Sequence, residues 1–363
     1  MSFQKIRVFN FRNLRDGEIA ISQAQVFFVG ENGQGKTNFL EALYLLSYGG
    51  SFRTRRDAEV IKHGTAEAAL SATFASTSGI ETIDIRYQNG KKRISVNETL
   101  IADRREIVSR FPVVLFQHDD LRFVNGTPDM QRFFVDQTLS LYEPLHIDDL
   151  RTYRKILRNR NQALKDGNRD VLGIYDRQLA ESGRHVQQNR FVALAAFNEV
   201  FRDLFREISG LSEELELVYK PSWRDAGSSG GSLDEIIDLY QKKRQQEMAV
   251  GTTLLGPHRD RVAFEYEGRN FLEEASTGQQ RLTSLILRIA QARLFHKKTQ
   301  RLPVLLLDDV LLELDPGRRE RCIQSLPPSE QRIFTFLPGE PYDAYLDSDT
   351  LVYSVQNGEF KTS

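Results

Sequence analysis

Apolar and polar positions along the chain predict strands at both ends and helices in the middle. Near the start, Ile6, Val8 and Phe9, then Ile19 and Ile21, mark two strands. The unbroken run Val26, Phe27, Phe28, Val29 is apolar on both faces and predicts a central, buried strand. Past a glycine-rich bend, Phe39, Leu40, Leu43 and Leu46 recur at helical spacing. More strands follow from Ala69 to Val96, with Tyr87-Gln88-Asn89-Gly90 as an Asn-Gly hairpin turn, and Phe111 to Phe116 reads as another buried strand.

The period then changes. From about Met130 to Ser209 it is helical, with Leu150, Tyr153, Leu157 and Leu164 on one stretch. Leu179, Val186, Phe197, Phe201, Leu204 and Ile208 lie on a second. The turn Lys165-Asp166-Gly167-Asn168 between them predicts an antiparallel pair. Asp225–Ser232, "DAGSSGGS", is the low-complexity segment and predicts a surface loop. A short helix from Leu233, a hairpin in "VAFEYEGRNF", a helix over Gln279–Phe295 and an apolar strand at Val304–Leu307 complete the pattern. It predicts an α/β core built from residues 1–118 and 300–363, interrupted by a helical lobe over 119–299.

Composition narrows the function classes. With 40% hydrophobic and 27% charged residues the chain has globular proportions and room for about two domains. The net charge of −1 gives no global attraction for polyanions, so any such surface must come from local clustering. A single cysteine, Cys322, excludes an internal disulfide and fits a reducing compartment. No run approaches the ~18 apolar residues that cross a bilayer, and the N-terminus lacks a signal-peptide core. The expectation is a soluble cytoplasmic protein with no membrane role.

The glycine-rich bend carries chemistry. Gly30-Glu31-Asn32-Gly33-Gln34-Gly35-Lys36-Thr37 matches the phosphate-binding pattern G-x-x-x-x-G-K-[ST] in full. Glycines let backbone N–H groups converge on phosphate oxygens, the next helix adds its positive dipole end, and Lys36 adds a point charge. Thr37 is placed to hold Mg²⁺. A chance glycine turn would not be expected between a buried strand and an apolar helix. Downstream, "PVLLLDDVLLELD" describes a buried strand delivering Asp308 to its C-terminal end, where a carboxylate supports Mg²⁺. Asp309 is then a candidate general base or water positioner.

Ser276-Thr277-Gly278-Gln279-Gln280-Arg281 opens a helix, and its S-x-x-Q spacing is also a plain capping box. Gly278 in the first turn weakens the helix and lets a phosphate approach closely. The order of P-loop, helical lobe, S-x-G-Q signature and strand-end Asp is similar to that of ATP-binding-cassette ATPases.

"FRNL", "GENGQGKTNFLEALYLLS", "FRT", "GTPDMQRFFVD", "GPHRDR", "STGQQR" and "LLLDDVLLELD" together resemble the RecF family of bacterial DNA-repair ATPases, related to SMC-type heads. The resemblance implies an ABC-type, SMC-like P-loop ATPase core that binds ATP with Mg²⁺. It implies Lys36 and Thr37 as the nucleotide clamp and Asp308 as the magnesium-side carboxylate. Ser276, Gly278 and Gln279 would be the signature offered to a partner's ATP, Glu313–Asp315 the interface D-loop, and Arg53 an arginine finger. It further implies a homodimer with ATP, binding to single-stranded, double-stranded or gapped DNA, and RecR and RecO as partners in loading RecA.

Departures accompany it. Gln117-His118-Asp119-Asp120 stands where the family has Ser-Pro-Glu-Asp, with Gln117 a candidate Q-loop residue. Arg132 is single where the family often has two arginines, and Thr335 stands near the switch-histidine position, which implies slow hydrolysis. The role of His258 stays open. The run Arg151–Arg160, with Arg151, Arg154, Lys155 and Arg158 as candidate phosphate contacts beside Tyr153, is either a solvated helix face or a DNA surface.

Three functions compete: a DNA-binding repair ATPase acting as a switch, a transporter-type ATPase subunit, and an SMC-like tether. About 240 residues separate Lys36 from Ser276, too few for a long coiled-coil arm. The missing switch histidine and the basic lobe oppose the transporter. The expected function is therefore ATP-dependent DNA binding in recombinational repair and replication restart, with a weak, DNA-stimulated ATPase.

Overall fold

A computed structural model describes residues 2–76, 79–211, 214–223, 232–311 and 314–362. Two compact units result. One joins residues 1–119 to 295–363, and the other spans 120–294, so the division falls inside a helix rather than at its end.

The first unit begins with β1 (Ser2–Phe9), β2 (Gly17–Ala20), β3 (Gln25–Val29), α1 (Lys36–Tyr48), β4 (Ala68–Ser76), β5 (Gly79–Gln88), β6 (Lys91–Val96), β7 (Thr99–Leu100), α2 (Arg104–Arg110) and β8 (Val113–Gln117). The second unit holds α3 (Leu121–Asn125), α4 (Pro128–Tyr142), α5 (His146–Lys165), α6 (Leu172–Ser209), β9 (Leu215–Lys220), α7 (Leu233–Val250), β10 (Arg261–Tyr266), β11 (Arg269–Asn270), α8 (Phe271–Glu274) and most of α9 (Thr277–Thr299). The chain then returns to the first unit with β12 (Val304–Asp308), α10 (Pro316–Gln324), β13 (Gln331–Phe336), β14 (Thr350–Gln356) and β15 (Glu359–Thr362).

Two six-stranded sheets enclose α1. The sheet β15-β14-β3-β13-β12-β8 is parallel except for β15, and the sheet β2-β1-β4-β5-β6-β7 is antiparallel throughout. Parallel strands buried on both faces read as continuous apolar runs. Val26, Phe27 and Phe28 in β3 and Val304 to Leu307 in β12 are accordingly buried. On α1, Phe39, Leu40, Leu43 and Leu46 are buried in the same core, and Phe28, Phe39 and Phe360 pack ring against ring. Gly49 ends the helix at φ +63, its N–H donating to the Leu45 carbonyl at 2.7 Å. The Asn-Gly turn joins β5 to β6, with Asn89 and Gly90 both at positive φ. Phe9 sits on the outer face of β1 and is 48% exposed, because Ile6 and Val8 fill the inward positions of an alternating strand.

In the second unit α5 and α6 run antiparallel, as their contacts show. Arg160 pairs with Asp176, Gly183 approaches the Tyr153 ring, and His146 meets Asn189, so one number falls as the other rises. A three-stranded sheet, β11-β10-β9, completes this unit. The low-complexity segment expected at 225–232 lies outside the described residues except for Ser232, which caps α7 in a reciprocal box with Glu235.

Candidate nucleotide-binding site

The site forms at the C-terminal edge of the parallel sheet. β3 ends at Val29, and the chain must then turn sharply into α1. Gly30 lies so close to β14 that a Cβ there would come 2.4 Å from the Val355 carbonyl oxygen. Gly33 at φ +78 and Gly35 at φ +117 take the left-handed region that side chains disfavour. The β14–β15 turn braces the loop from outside. Asn357 N–H donates to Gln34 Oε1 at 2.7 Å, and Gly358 N–H donates to the Gln34 carbonyl at 2.8 Å. Gln34 therefore supports the loop through its side chain, while Glu31 and Asn32 lie exposed on it.

Lys36 is buried and folds back over the loop, donating from Nζ to the Gly30 carbonyl at 2.5 Å and the Glu31 carbonyl at 3.3 Å. Its ammonium stands 4.0 Å from Asp309 Oδ2. Thr37 Oγ1 donates to Asp308 Oδ1 at 2.9 Å, which brings together residues 271 positions apart. On the other side of Asp308, Thr335 at the end of β13 takes the Asp309 N–H at 2.8 Å and lies 2.7 Å from Asp309 Oδ1 and 3.1 Å from Asp308 Oδ1. Asp309 itself sits at φ +50, a conformation that aims its carboxylate back toward Lys36 and Thr335. Gln117 ends the neighbouring strand β8 and stands directly opposite Asp308 in register.

Burial, and then the adjacent Asp309 carboxylate, push the Asp308 carboxyl up to about 6, against the pull of Thr37, Thr335 and Lys36. A cation beside it would relieve both causes. Thr37 and Asp308 offer two hard oxygens at one point, which fits Mg²⁺, an ion that keeps several waters and takes one or two protein ligands. Held by Thr37 and Asp308, Mg²⁺ would supply positive charge to offset that of the phosphates.

Behind the loop lies a group that the motifs did not single out. Glu41 on α1 is fully buried and is held by Arg12 through Nε at 3.0 Å and Nη2 at 2.7 Å. Arg53 reaches the same carboxylate only at 3.5 Å and bonds Asn38 at 2.6 Å. Arg53 thus packs against the first two turns of α1, through partners invisible in a linear motif.

The signature segment belongs to the second unit. Ser276 and Gln279 form the reciprocal capping box, at 3.3 Å and 2.8 Å. Gly278 is exposed, and beyond its own stretch of helix backbone the nearest atom to a Cβ there would be Ser276 Oγ, at 4.0 Å. Among the described residues, no neighbour crowds that position. Of the expected D-loop, Glu313 lies outside the described residues, and Asp315 caps α10 by accepting from Arg318 N–H at 3.0 Å.

The basic run divides by helix face. Arg151, Arg154, Lys155 and Arg158 are exposed together on α5, Arg151 pairing with Asp148. Tyr153 and Arg160 are buried, which removes both from any solvent-facing surface. Arg160 bonds Asp176, Glu247 and Thr253 at 2.7–2.9 Å. Tyr153 donates to His258 Nδ1 at 2.7 Å, since His258 Nε2 must donate to the Thr253 carbonyl at 3.1 Å. Burial pulls the His258 pKa down to about 4, so it is a neutral structural residue. The GPHRD run is therefore a scaffold. Arg190 bonds the Pro257 carbonyl and, through two 2.8 Å bonds, Asp136, while Arg132 donates to the Asp260 carbonyl.

Comparison with known proteins shows the family. Residues 2–345 match the family described as the RecF/RecN/SMC N-terminal domain. The DNA replication and repair protein RecF of Treponema pallidum (strain Nichols) is 43% identical over 350 residues, covering 96% of this chain and 98% of that protein. A solved structure of the recombination mediator protein RecF with ATP, in the RecFOR pathway, superposes with a TM-score of 0.90 at 28% identity, covering 99% of this chain and 97% of the other. The Smc head domain of Pyrococcus furiosus, at 17% identity and a TM-score of 0.57 over 99% of this chain and 95% of that one, shares the fold. On sequence matched along nearly its whole length, the chain belongs to the RecF family of SMC-like, ABC-type ATPases.

Proposed function

We propose that the chain is an ATP-dependent DNA-binding protein of recombinational repair and replication restart, working as a dimer switch that helps load recombinase at gaps. The observation that carries this reading is the convergence of Lys36, the Thr37–Asp308 contact and Asp309 at one end of the parallel sheet. The names of its relatives, which describe DNA replication and repair and the RecFOR pathway, supply the biological setting.

The chemistry follows from the side chains. Loop N–H groups and Lys36 bind the phosphates, and Thr37 with Asp308 holds Mg²⁺. Asp309 takes the proton of the attacking water, and Gln117, beside Asp308, orients that water. Thr335 holds Asp309 in place but is itself no base, in keeping with slow, DNA-stimulated turnover. The exposed Gly278 and Ser276 await a phosphate from outside the chain, so two copies sandwich two ATP molecules. ATP binding then closes the dimer and hydrolysis reopens it. The exposed face of α5, with Arg151, Arg154, Lys155 and Arg158, contacts the DNA backbone. RecR and RecO are the protein partners, in the cytoplasm. No helix among the described residues is long and apolar enough to cross a membrane.

A gel shift on gapped duplex DNA tests the reading. ATP should strengthen binding by the wild type and leave Lys36→Ala unaffected. Equal DNA binding with and without ATP by the wild type would refute the switch.

A further inference from the structure

Three consecutive polar side chains occupy the first turn of α1, and the third, Asn38, has no part in the chemistry above. Its Oδ1 accepts from Arg53 Nη1 at 2.6 Å. Its amide group donates to Asn13 Oδ1 at 2.7 Å, and the Asn13 amide donates to the Gly33 carbonyl at 3.0 Å. The three bonds run in one direction, donor to acceptor, from a guanidinium to the apex of the nucleotide loop. Flipping either amide would set two donors or two acceptors face to face.

The surroundings fix the other end. Ser51 Oγ accepts from the Arg53 and Thr54 N–H groups at 2.9 and 3.1 Å and donates to Glu41 Oε1 at 2.5 Å, which sets the Arg53 backbone against α1. Arg12 already engages both Glu41 oxygens, leaving Asn38 as the close partner of Arg53. The Arg53 side chain is 45% exposed, and only its Nη1 has a side-chain partner among the described residues. Its Nε and Nη2 form the open edge of the fork, the geometry that takes a phosphate oxygen pair.

We propose that Asn38 and Asn13 are positioning residues for nucleotide turnover. They hold Arg53 by one edge beside the loop, so that its open edge meets a phosphate of the bound nucleotide, and they tie its position to Gly33. This inference rests on the nucleotide reading of the loop.

A double-mutant cycle on the full-length protein, under single-turnover conditions with ATP and Mg²⁺, tests it. A hydrogen bond to a charged group contributes about ten- to a hundredfold in an equilibrium or rate. Asn38→Ala should therefore slow turnover at least about tenfold while ATP affinity changes less than about threefold. Because Asn38 acts through Arg53, the double variant Asn38→Ala/Arg53→Ala should be no slower than Arg53→Ala alone. Asn13→Asp, isosteric but unable to donate to the Gly33 carbonyl, should also slow turnover with affinity retained. Multiplying losses in the double variant would overturn the relay, as would wild-type turnover in Asn38→Ala or Asn13→Asp. Lys36→Ala separates the two levels. If it turns ATP over like wild type, the nucleotide reading fails and takes the relay with it. If it is inactive while the cycle is additive, the relay alone fails.

Discussion

Replacing Asp308 by Asn should disable the site yet favour the nucleotide-free fold as the pH rises. The carboxyl stands at about 6 in the folded protein, against a reference of 3.8. A carboxyl raised in this way binds its proton more tightly when folded. Its stabilisation is present below about pH 4 and is lost as the pH climbs through about 6. At ~1.4 kcal/mol per pH unit the full effect is about 3 kcal/mol, of which about 2 kcal/mol falls between pH 4.5 and 7.5. Asn has no charge to lose across that window. Its oxygen can still accept from Thr37, but its amide needs an acceptor the carboxylate did not, a cost of about 1–3 kcal/mol. Absolute stability therefore changes little, and the informative quantity is how the difference between the two proteins varies with pH. Trp223, the only tryptophan, lies in the other unit, so fluorescence would report the wrong part of the molecule. Amide hydrogen exchange in β3 and β12, without nucleotide, reports the right one. The variant should gain about 2 kcal/mol on the wild type between pH 4.5 and 7.5. A difference that stays flat with pH would refute the electrostatic account of the pair.

Asp309→Asn keeps an acceptor for Thr335 and a residue type that tolerates φ +50, so it should bind ATP normally while hydrolysis falls about 10²–10⁴-fold, measured by phosphate release. Gly30→Ala would drive a methyl group into the Val355 carbonyl, and loss of ATP affinity with a lowered melting temperature should show in thermal shift assays. Reversing Arg154 and Arg158 to Glu should weaken DNA binding across all sequences and flatten the log–log salt slope by about two, one per lost phosphate contact. An unchanged slope would remove α5 from the DNA surface.

The sequence made the loop legible because its geometry demands residues that only a pattern match can notice. Gly33 and Gly35 need positive φ, and Lys36 and Thr37 must follow them at the helix start. Asp308 was legible because a both-faces-apolar strand has one polar end. Thr335 was legible only as a position. Its contact with both aspartates requires knowing that β13 lies beside β12, a pairing that strand sequence does not encode. Arg12, Asn13, Asn38 and Glu41 were missed for the same reason, since the connection from β1 to β2 and α1 meet only in three dimensions. Arg160 and Tyr153 did carry a local signal. With Leu157 and Leu164 they fall on one face at three- and four-residue spacing, which marks them as buried despite the surrounding charge. The narrow GPHRD run was informative about kinship rather than chemistry, because its side chains and carbonyls hold the helical unit together.

The central claim is a site completed in trans, and mixing two defective proteins tests it directly. Ser276→Arg puts a bulky cation at the signature. It also removes a cap worth about 1 kcal/mol, too little to unfold α9. Lys36→Ala removes the phosphate clamp. Sedimentation equilibrium with ATP should find each variant monomeric alone, although Ser276→Arg still binds ATP through its own Lys36. Mixed, they should form a dimer with one intact composite site, joining the loop of one protomer to the signature of the other. A Ser276→Arg protein that dimerises and hydrolyses ATP like the wild type would contradict the account and leave Ser276 as a helix cap.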